Sequence, residues 1–163
     1  DIYTLQHELG GVDGVEIAIC GRLEHRNVSA LLVALALYKG VKVTLIPLSG
    51  QVDPEVTSYC VDKGVEFFTV NNLDPVEEVD AIYLNAPKTV AHAQLLRARG
   101  GPGVSIDKVF MERLKSHCLI MDPMQRSDDF DVLVQDKRLA FYRQAENALF
   151  VKMALLSDML GSE

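Results

Sequence analysis

The sequence predicts an α/β fold, an open five-stranded parallel sheet with helices on both faces, and three observations carry that expectation. Five short runs, residues 15–20 (VEIAIC), 41–46 (VKVTLI), 65–68 (VEFF), 79–84 (VDAIYL) and 118–121 (CLIM), are apolar and partly β-branched. They lack strict alternation, as strands buried on both faces do. Helical stretches with start and stop signals stand between them, the alternation that parallel strands need for their crossovers. The segment 15–38 sets the pattern: a strand, a turn, and a helix apolar on nearly every side, which belongs inside a layered fold. That turn lies at the carboxyl end of a parallel strand and the amino end of a helix. Unpaired N–H groups and a partial positive charge gather there, and open α/β sheets bind ligands at such turns.

Taken in order, residues 1–9 read as a helix closed by Gly10-Gly11, where glycine takes the left-handed conformation. Residues 15–20 are the first strand, expected at the centre of the sheet; 26–38 are the apolar helix, Lys39-Gly40 its stop, and 41–46 the second strand. Asp53-Pro54-Glu55 supplies a cap, a first-turn proline and an acid for a helix through about residue 63, and 65–68 is the third strand. Asp74-Pro75-Val76-Glu77-Glu78 repeats the start signal for a short helix before the fourth strand, 79–84. Residues 85–103, rich in glycine, proline and basic side chains, read as a long exposed or mobile loop. Ser105-Ile106-Asp107-Lys108 caps a helix to about Lys115, 118–121 is the fifth strand, and Asp122-Pro123-Met124-Gln125-Arg126 leaves its carboxyl end. The last helix starts near Arg138. Its stripe of Tyr142, Ala145, Leu149, Met153, Leu156 and Leu160, spaced three or four apart, needs a partner surface.

Composition narrows the function. At 163 residues the chain is one domain, long enough to bury roughly 70% of its unfolded surface. A net charge of −7 argues against nucleic acid, whose phosphates call for a basic face. The longest apolar run, residues 30–38, is about half a membrane helix, and no signal-peptide pattern opens the chain, so a cytoplasmic location is expected. Cys20, Cys60 and Cys118 are an odd number at wide spacing inside apolar runs and read as buried thiols in a reducing compartment, with no metal spacing. The class is Rossmann-like, yet Gly21-Arg22-Leu23-Glu24-His25-Arg26 has one glycine where a dinucleotide fingerprint has three. NAD is disfavoured and no cofactor is expected. His7, His25, His92 and His117 show no mutual spacing and read as structural or exposed; Arg97 and Arg99 read as solubilising charges, or as a basic pair that touches a phosphate from a neighbour. The opening Asp1 begins within a helical pattern, as though a longer chain had been cut.

The motifs carry a resemblance that runs end to end. Asp1-Ile2-Tyr3-Thr4-Leu5-Gln6 is similar to a D-L-F/Y-T-I-Q helix, Val12-Asp13-Gly14-Val15 to an L-D-G-L/V lead into the first strand, and residues 140–156 to A-x-Y-F-x-Q-A-x-N-G-V/I-F/Y-x-R-x-A-L-L. These are patterns of the second, amino-acid-binding domain of the aspartate and ornithine carbamoyltransferase family, and the chain resembles the aspartate branch more closely. The resemblance implies carbamoyl transfer from carbamoyl phosphate to an amino-acid amine, in the aspartate branch a step of pyrimidine biosynthesis. It also implies a partner domain that binds carbamoyl phosphate through an S-T-R-T-R helix start, a run this sequence lacks.

The resemblance assigns the site residue by residue. In the family's G-D/N-L-x-x-G/S-R-T/V-x-H-S turn the arginine grips a carboxylate; Arg26 matches it, with one residue missing before it and Ser29 where the histidine would stand. The alternative for Arg26 is a surface arginine at a helix start. The family's T-R-x-Q-x-E clamp is here Asn85-Ala86-Pro87-Lys88-Thr89-Val90. Ala86 cannot hold a carboxylate, and Lys88 supplies a point charge without the two-pronged geometry of arginine, or is simply a solvated loop charge. The family's H-P-L-P-R, whose backbone carbonyls hold carbamoyl phosphate and the amine, is Asp122-Pro123-Met124-Gln125-Arg126; Pro123 and Arg126 match, and Asp122 puts an acid beside an anion site. The expected substrate-binding set is therefore Arg26, Lys88, Pro123, Met124 and Arg126, with no catalytic residue and no metal ligand. Two functions follow: the amino-acid domain of a carbamoyltransferase-like protein, inactive alone, or a non-catalytic pseudoenzyme relative binding a small molecule or a partner subunit. Self-association through the last helix is expected where its stripe has no other cover.

Overall fold

Asp1 stands at the start of helix α1 (Ile2–Leu9), and Gly10 closes it in the left-handed conformation at φ 77°, which a side chain would make costly. The computed structural model describes residues 1–71, 74–85, 108–123 and 135–161. The elements continue as β1 (Glu16–Arg22), α2 (Arg26–Leu35), β2 (Lys42–Ser49), α3 (Pro54–Asp62), β3 (Glu66–Thr69), a 3₁₀ turn (Asp74–Glu78), β4 (Ala81–Asn85), α4 (Lys108–Arg113), β5 (Leu119–Met121) and α5 (Phe141–Leu160). The strands lie in the order β3-β2-β1-β4-β5 and every pairing is parallel, with β1 in the middle.

Side-chain alternation along the strands divides the core into two layers. Ile17 and Ile19 of β1, Val43 and Leu45 of β2, and Ala81 and Tyr83 of β4 face a layer shared with Leu5 of α1, the Val28-Leu31-Leu32-Leu35 ridge of α2, and Cys60 of α3. Ala18, Cys20, Ile46, Ile82 and Leu84 face the opposite layer with Val76, Phe110, Met111, Leu114 and Phe141. Helices thus cover both faces. That is why the central strands β1 and β4 are buried almost throughout, whereas the edge strand β3, expected to be buried on both faces, is largely exposed, Phe68 by 50%.

Several expectations are corrected. The helix after the first strand ends at Leu35 rather than Tyr38, and it is not buried all round: Val33 is 40% exposed, and Leu37, in the turn just past its end, 75%. Only the ridge at i, i+3, i+4 and i+7 meets the sheet, because a helix lying on a sheet has one inner face. The start signal at Asp74 does open a short helix, and it is of the 3₁₀ kind, Asp74–Glu78. The last helix starts at Phe141, since Arg138 is held in the preceding turn by Asp136 and by the Met111 carbonyl. The cap at Asp53 holds as read: its carboxylate accepts the Glu55 N–H at 2.8 Å, with Pro54 in the first turn; the Ser105-Ile106-Asp107 cap and the loop expected beyond Asn85 lie outside the described residues.

The stripe on α5 faces outward. Tyr142, Leu149, Met153, Leu156 and Leu160 are all exposed, whereas Phe141 and Gln144 point inward. The helix runs through Leu160. Beside the buried Phe141 at its start, α5 is seated by polar contacts: Gln144 Nε2 donates to the Asp1 carboxylate at 2.7 Å, Asn147 Nδ2 to the Thr4 hydroxyl at 3.1 Å, and Arg143 pairs with Glu8.

Candidate active site

The strand order reverses direction between β1 and β4. Successive strands run outward from β1 through β2 to β3 on one side and from β4 to β5 on the other, and crevices of this kind at the carboxyl edge are where open α/β sheets place ligands. The last matched pair across that line is Gly21 with Asn85. Gly21 has φ 130°, and a Cβ there would lie 2.2 Å from the Asn85 carbonyl oxygen, so only glycine lets the two backbones approach this closely.

Beyond Gly21 the register of β1 on β2 shifts, and the chain turns toward α2. The Arg22 carbonyl anchors this turn. It accepts the His25 N–H at 3.3 Å and the Asn85 side-chain Nδ2 at 2.6 Å, tying the end of β4 to the turn after β1. Leu23 N–H reaches the Ser49 carbonyl at 3.1 Å, and the Glu24 carboxylate accepts from Ser49 Oγ at 3.2 Å and from Arg22 Nε at 3.4 Å. Burial pushes the Glu24 carboxyl up, but the hydrogen bonds from its own backbone, Arg22 and Ser49 outweigh it and hold the group below its ordinary value. Glu24 is therefore a charged anchor of the turn, and its pairing occupies Arg22.

Arg26 follows directly. It is the first residue of α2, with His25 as N-cap accepting the Asn27 N–H at Nδ1. Its side chain is exposed, with no hydrogen bond or ion pair to it among the described residues. A guanidinium at the amino end of a ten-residue helix adds a mobile charge to the helix dipole, a combination suited to a carboxylate or phosphate.

On the far side of β4, Asp122 is buried, and its N–H donates to Gln144 Oε1 at 2.9 Å; Pro123, next to it, is half-buried. Of the expected binding residues the structure thus places Arg26 and Pro123 at the carboxyl edge, while Lys88, Met124 and Arg126 lie outside the described residues, as do Ala86, His92, Arg97 and Arg99. Asn85 opens the clamp-motif stretch but is not one of the residues the resemblance assigns to the site. Its position as the last residue of a buried strand, just before Ala86-Pro87, is the signal that points to it. Its Oδ1 is buried and has no hydrogen-bond partner.

The remaining chemistry-bearing groups are structural. Burial, and behind it the neighbouring Cys118, pushes the Cys20 thiol up to about 12, and burial does the same for Cys118, so neither is a nucleophile near neutral pH. Cys60 is likewise a buried free thiol. His7 stacks on Tyr3 and His117 reaches Asp80 at the opposite edge of the sheet. No group of metal-ligating side chains occurs among the described residues. No helix among them is long and apolar enough to cross a membrane.

Comparison with known proteins agrees with this architecture. The profile of the aspartate/ornithine carbamoyltransferase Asp/Orn binding domain matches residues 13–159. The chloroplastic aspartate carbamoyltransferase of Arabidopsis thaliana is 32% identical over 98% of this chain and 43% of its own length. The aspartate carbamoyltransferase catalytic subunit of Clostridium botulinum is 30% identical over 99% and 54%. A crystal structure of Trypanosoma cruzi aspartate transcarbamoylase in complex with aspartate and phosphate superposes with a TM-score of 0.78 at 28% identity, covering 96% of this chain and 50% of that one. The chain therefore spans about half the length of these relatives. With the profile covering most of its residues and the fold shared, the chain belongs to the aspartate/ornithine carbamoyltransferase family, as an Asp/Orn-binding domain of aspartate carbamoyltransferase type.

Proposed function

We propose that this domain binds a small amino acid or related carboxylate at its carboxyl edge, with Arg26 as the principal grip, and that alone it does not transfer a carbamoyl group. The observation that carries the reading is the unengaged Arg26 guanidinium at the start of α2, beside the point where the strand order reverses. The loop residues Lys88, Met124 and Arg126, with Pro123, complete the proposed binding set. Inactivity follows from chemistry: Ala86 offers nothing to a carboxylate, and Asp122 repels an anion where the family has a histidine. No residue here is assigned a catalytic role. The natural counterpart in this reading is a carbamoyl-phosphate-binding domain of the same family, set against the exposed face of α5; without it the reacting phosphate has no dedicated site.

A second reading, a pseudoenzyme that keeps the fold to hold a ligand or a partner subunit, is favoured by the pairing of Arg22 with Glu24. Where the family turn carries Asp or Asn, this chain has a self-neutralised ion pair. The test is direct. Carbamoyl phosphate with aspartate or ornithine should give no carbamoyl-aspartate or citrulline above the uncatalysed rate, while amino-acid titration should shift the amide resonances of residues 22–29 in the wild type and not in Arg26→Ala. Product formation abolished by Arg26→Ala overturns the inactivity, and unshifted resonances overturn the binding site.

A further inference from the structure

Asn85 is the one buried side chain among the described residues whose polar atom has no hydrogen-bond partner. It is 1% exposed, and its carboxamide is not free to rotate: Nδ2 is committed to the Arg22 carbonyl at 2.6 Å, so Oδ1 is the atom left over. An acceptor shielded from water and unpaired is costly, and such atoms in folded proteins call for an explanation. The surroundings supply one. The carboxamide lies against the turn that leads into α2, three residues ahead of the N-cap His25, and its backbone carbonyl is packed on Gly21. The carboxamide that bears the orphan acceptor is thus bonded at Arg22, four residues before Arg26 and its unengaged cation at the amino end of α2.

These two features are complementary to a single kind of molecule, one that carries a carboxylate and, a few bonds away, an N–H donor. We propose that Asn85 is a specificity-determining residue whose Oδ1 accepts a hydrogen bond from the nitrogen of the bound amino acid, so that the site rejects carboxylates lacking that nitrogen. The assignment rests on the carboxylate-binding reading of Arg26 and deepens it. Discrimination follows from the burial: a ligand without the N–H leaves Oδ1 unpaired in a dry site, and sites built to pair a ligand N–H reject analogues that lack it far more strongly than hydrophobic pockets reject a missing methylene. Because the oxygen is shielded in the unliganded chain, the turn at 22–25 has to yield slightly as the nitrogen seats.

The experiment compares matched carboxylates with and without the α-nitrogen on the intact chain: L-aspartate against succinate, L-asparagine against succinamate, and L-ornithine against 5-aminopentanoate. Calorimetric titration of the wild type is expected to give, in at least one pair, a dissociation constant about tenfold or more lower for the amino acid, a ratio that falls close to one in Asn85→Leu. Should Asn85→Leu fail to fold, the Asn85 side-chain amide resonances of the wild type serve instead; they are expected to shift with the amino acid and stay in place with its partner lacking the nitrogen. Equal affinities within every pair, an unchanged ratio in folded Asn85→Leu, or unmoved Asn85 resonances overturn the assignment while Arg26-dependent binding stands. Absence of any carboxylate binding overturns the underlying reading and this one together.

Discussion

Gln144 on α5 bridges two ends of the molecule: its Nε2 donates to the Asp1 carboxylate at 2.7 Å while its Oε1 accepts the Asp122 N–H at 2.9 Å. The Asp1 carboxylate also takes the Tyr83 hydroxyl at 2.9 Å, so a continuous hydrogen-bonded path joins α1, β4, the end of β5 and α5. The glutamine of the family's carboxyl-terminal motif is thus a tie that sets where the loop after β5 begins. Gln144→Leu should leave the Asp122 N–H unpaired in a buried position and cost about 1–3 kcal/mol, the usual penalty for an orphaned buried donor. Urea denaturation of the wild type and variant measures it; equal midpoints would show that the path contributes nothing.

Gly21→Ala should be among the most damaging single changes in the chain. The added Cβ meets the Asn85 carbonyl at 2.2 Å on the central strand, and φ 130° is strained for any L side chain. Overpacking and backbone strain together are expected to cost about 2–4 kcal/mol. Gly64→Ala serves as a control: it shares a positive φ of 91° but meets nothing within 4 Å, so it should cost markedly less. A thermal melt that ranks the two variants in the opposite order would contradict the close approach of β1 and β4.

Asp80 ties the amino edge of the sheet. Burial alone would raise its carboxyl, but the Glu16 N–H at 3.0 Å, His117 and Lys115 outweigh burial and hold it below the ordinary value. A carboxyl depressed in the folded state contributes stability that is fully present above its unfolded value, near pH 4, and lost as pH falls through the folded value. Asp80→Asn should therefore be less stable than the wild type at neutral pH, the gap closing as pH falls below the ordinary carboxylate range and the folded-state carboxyl takes up its proton. Chemical denaturation along an acidifying pH series checks the sign, and a gap that widens on acidification would refute it.

The outer face of α5 predicts association. Leu149, Met153, Leu155, Leu156, Met159 and Leu160 are each more than half exposed on a helix about 30 Å long at 1.5 Å per residue. Apolar strips of this extent mark interaction surfaces. The isolated chain is expected to form concentration-dependent oligomers in light scattering, and Leu156→Glu with Leu160→Glu to restore the monomer without lowering stability, because neither side chain packs within the fold. A wild type that stays monomeric at high concentration would remove the surface from consideration.

Much of this architecture was legible in the chain itself. Runs such as VEIAIC and VDAIYL must be buried on both faces, which demands a parallel sheet with two helical layers, and Asp53-Pro54 and Gly10 mark helix ends through backbone chemistry that acts within a few residues. The motifs of the two terminal helices were readable too, through the family resemblance, and the structure shows their polar residues Thr4, Gln144 and Asn147 bonding α1 to α5. Spacing could not tell which side of α5 turns inward. The apolar stripe has the right period for a buried face, but the polar contacts that help to seat the helix involve residues some 140 positions away. Asn85 escaped the sequence reading for the same reason. Its commitment to the Arg22 carbonyl, and the oxygen left unpaired, exist only once β4 is laid beside β1, since a hydrogen bond between positions 63 apart is a property of strand order and register.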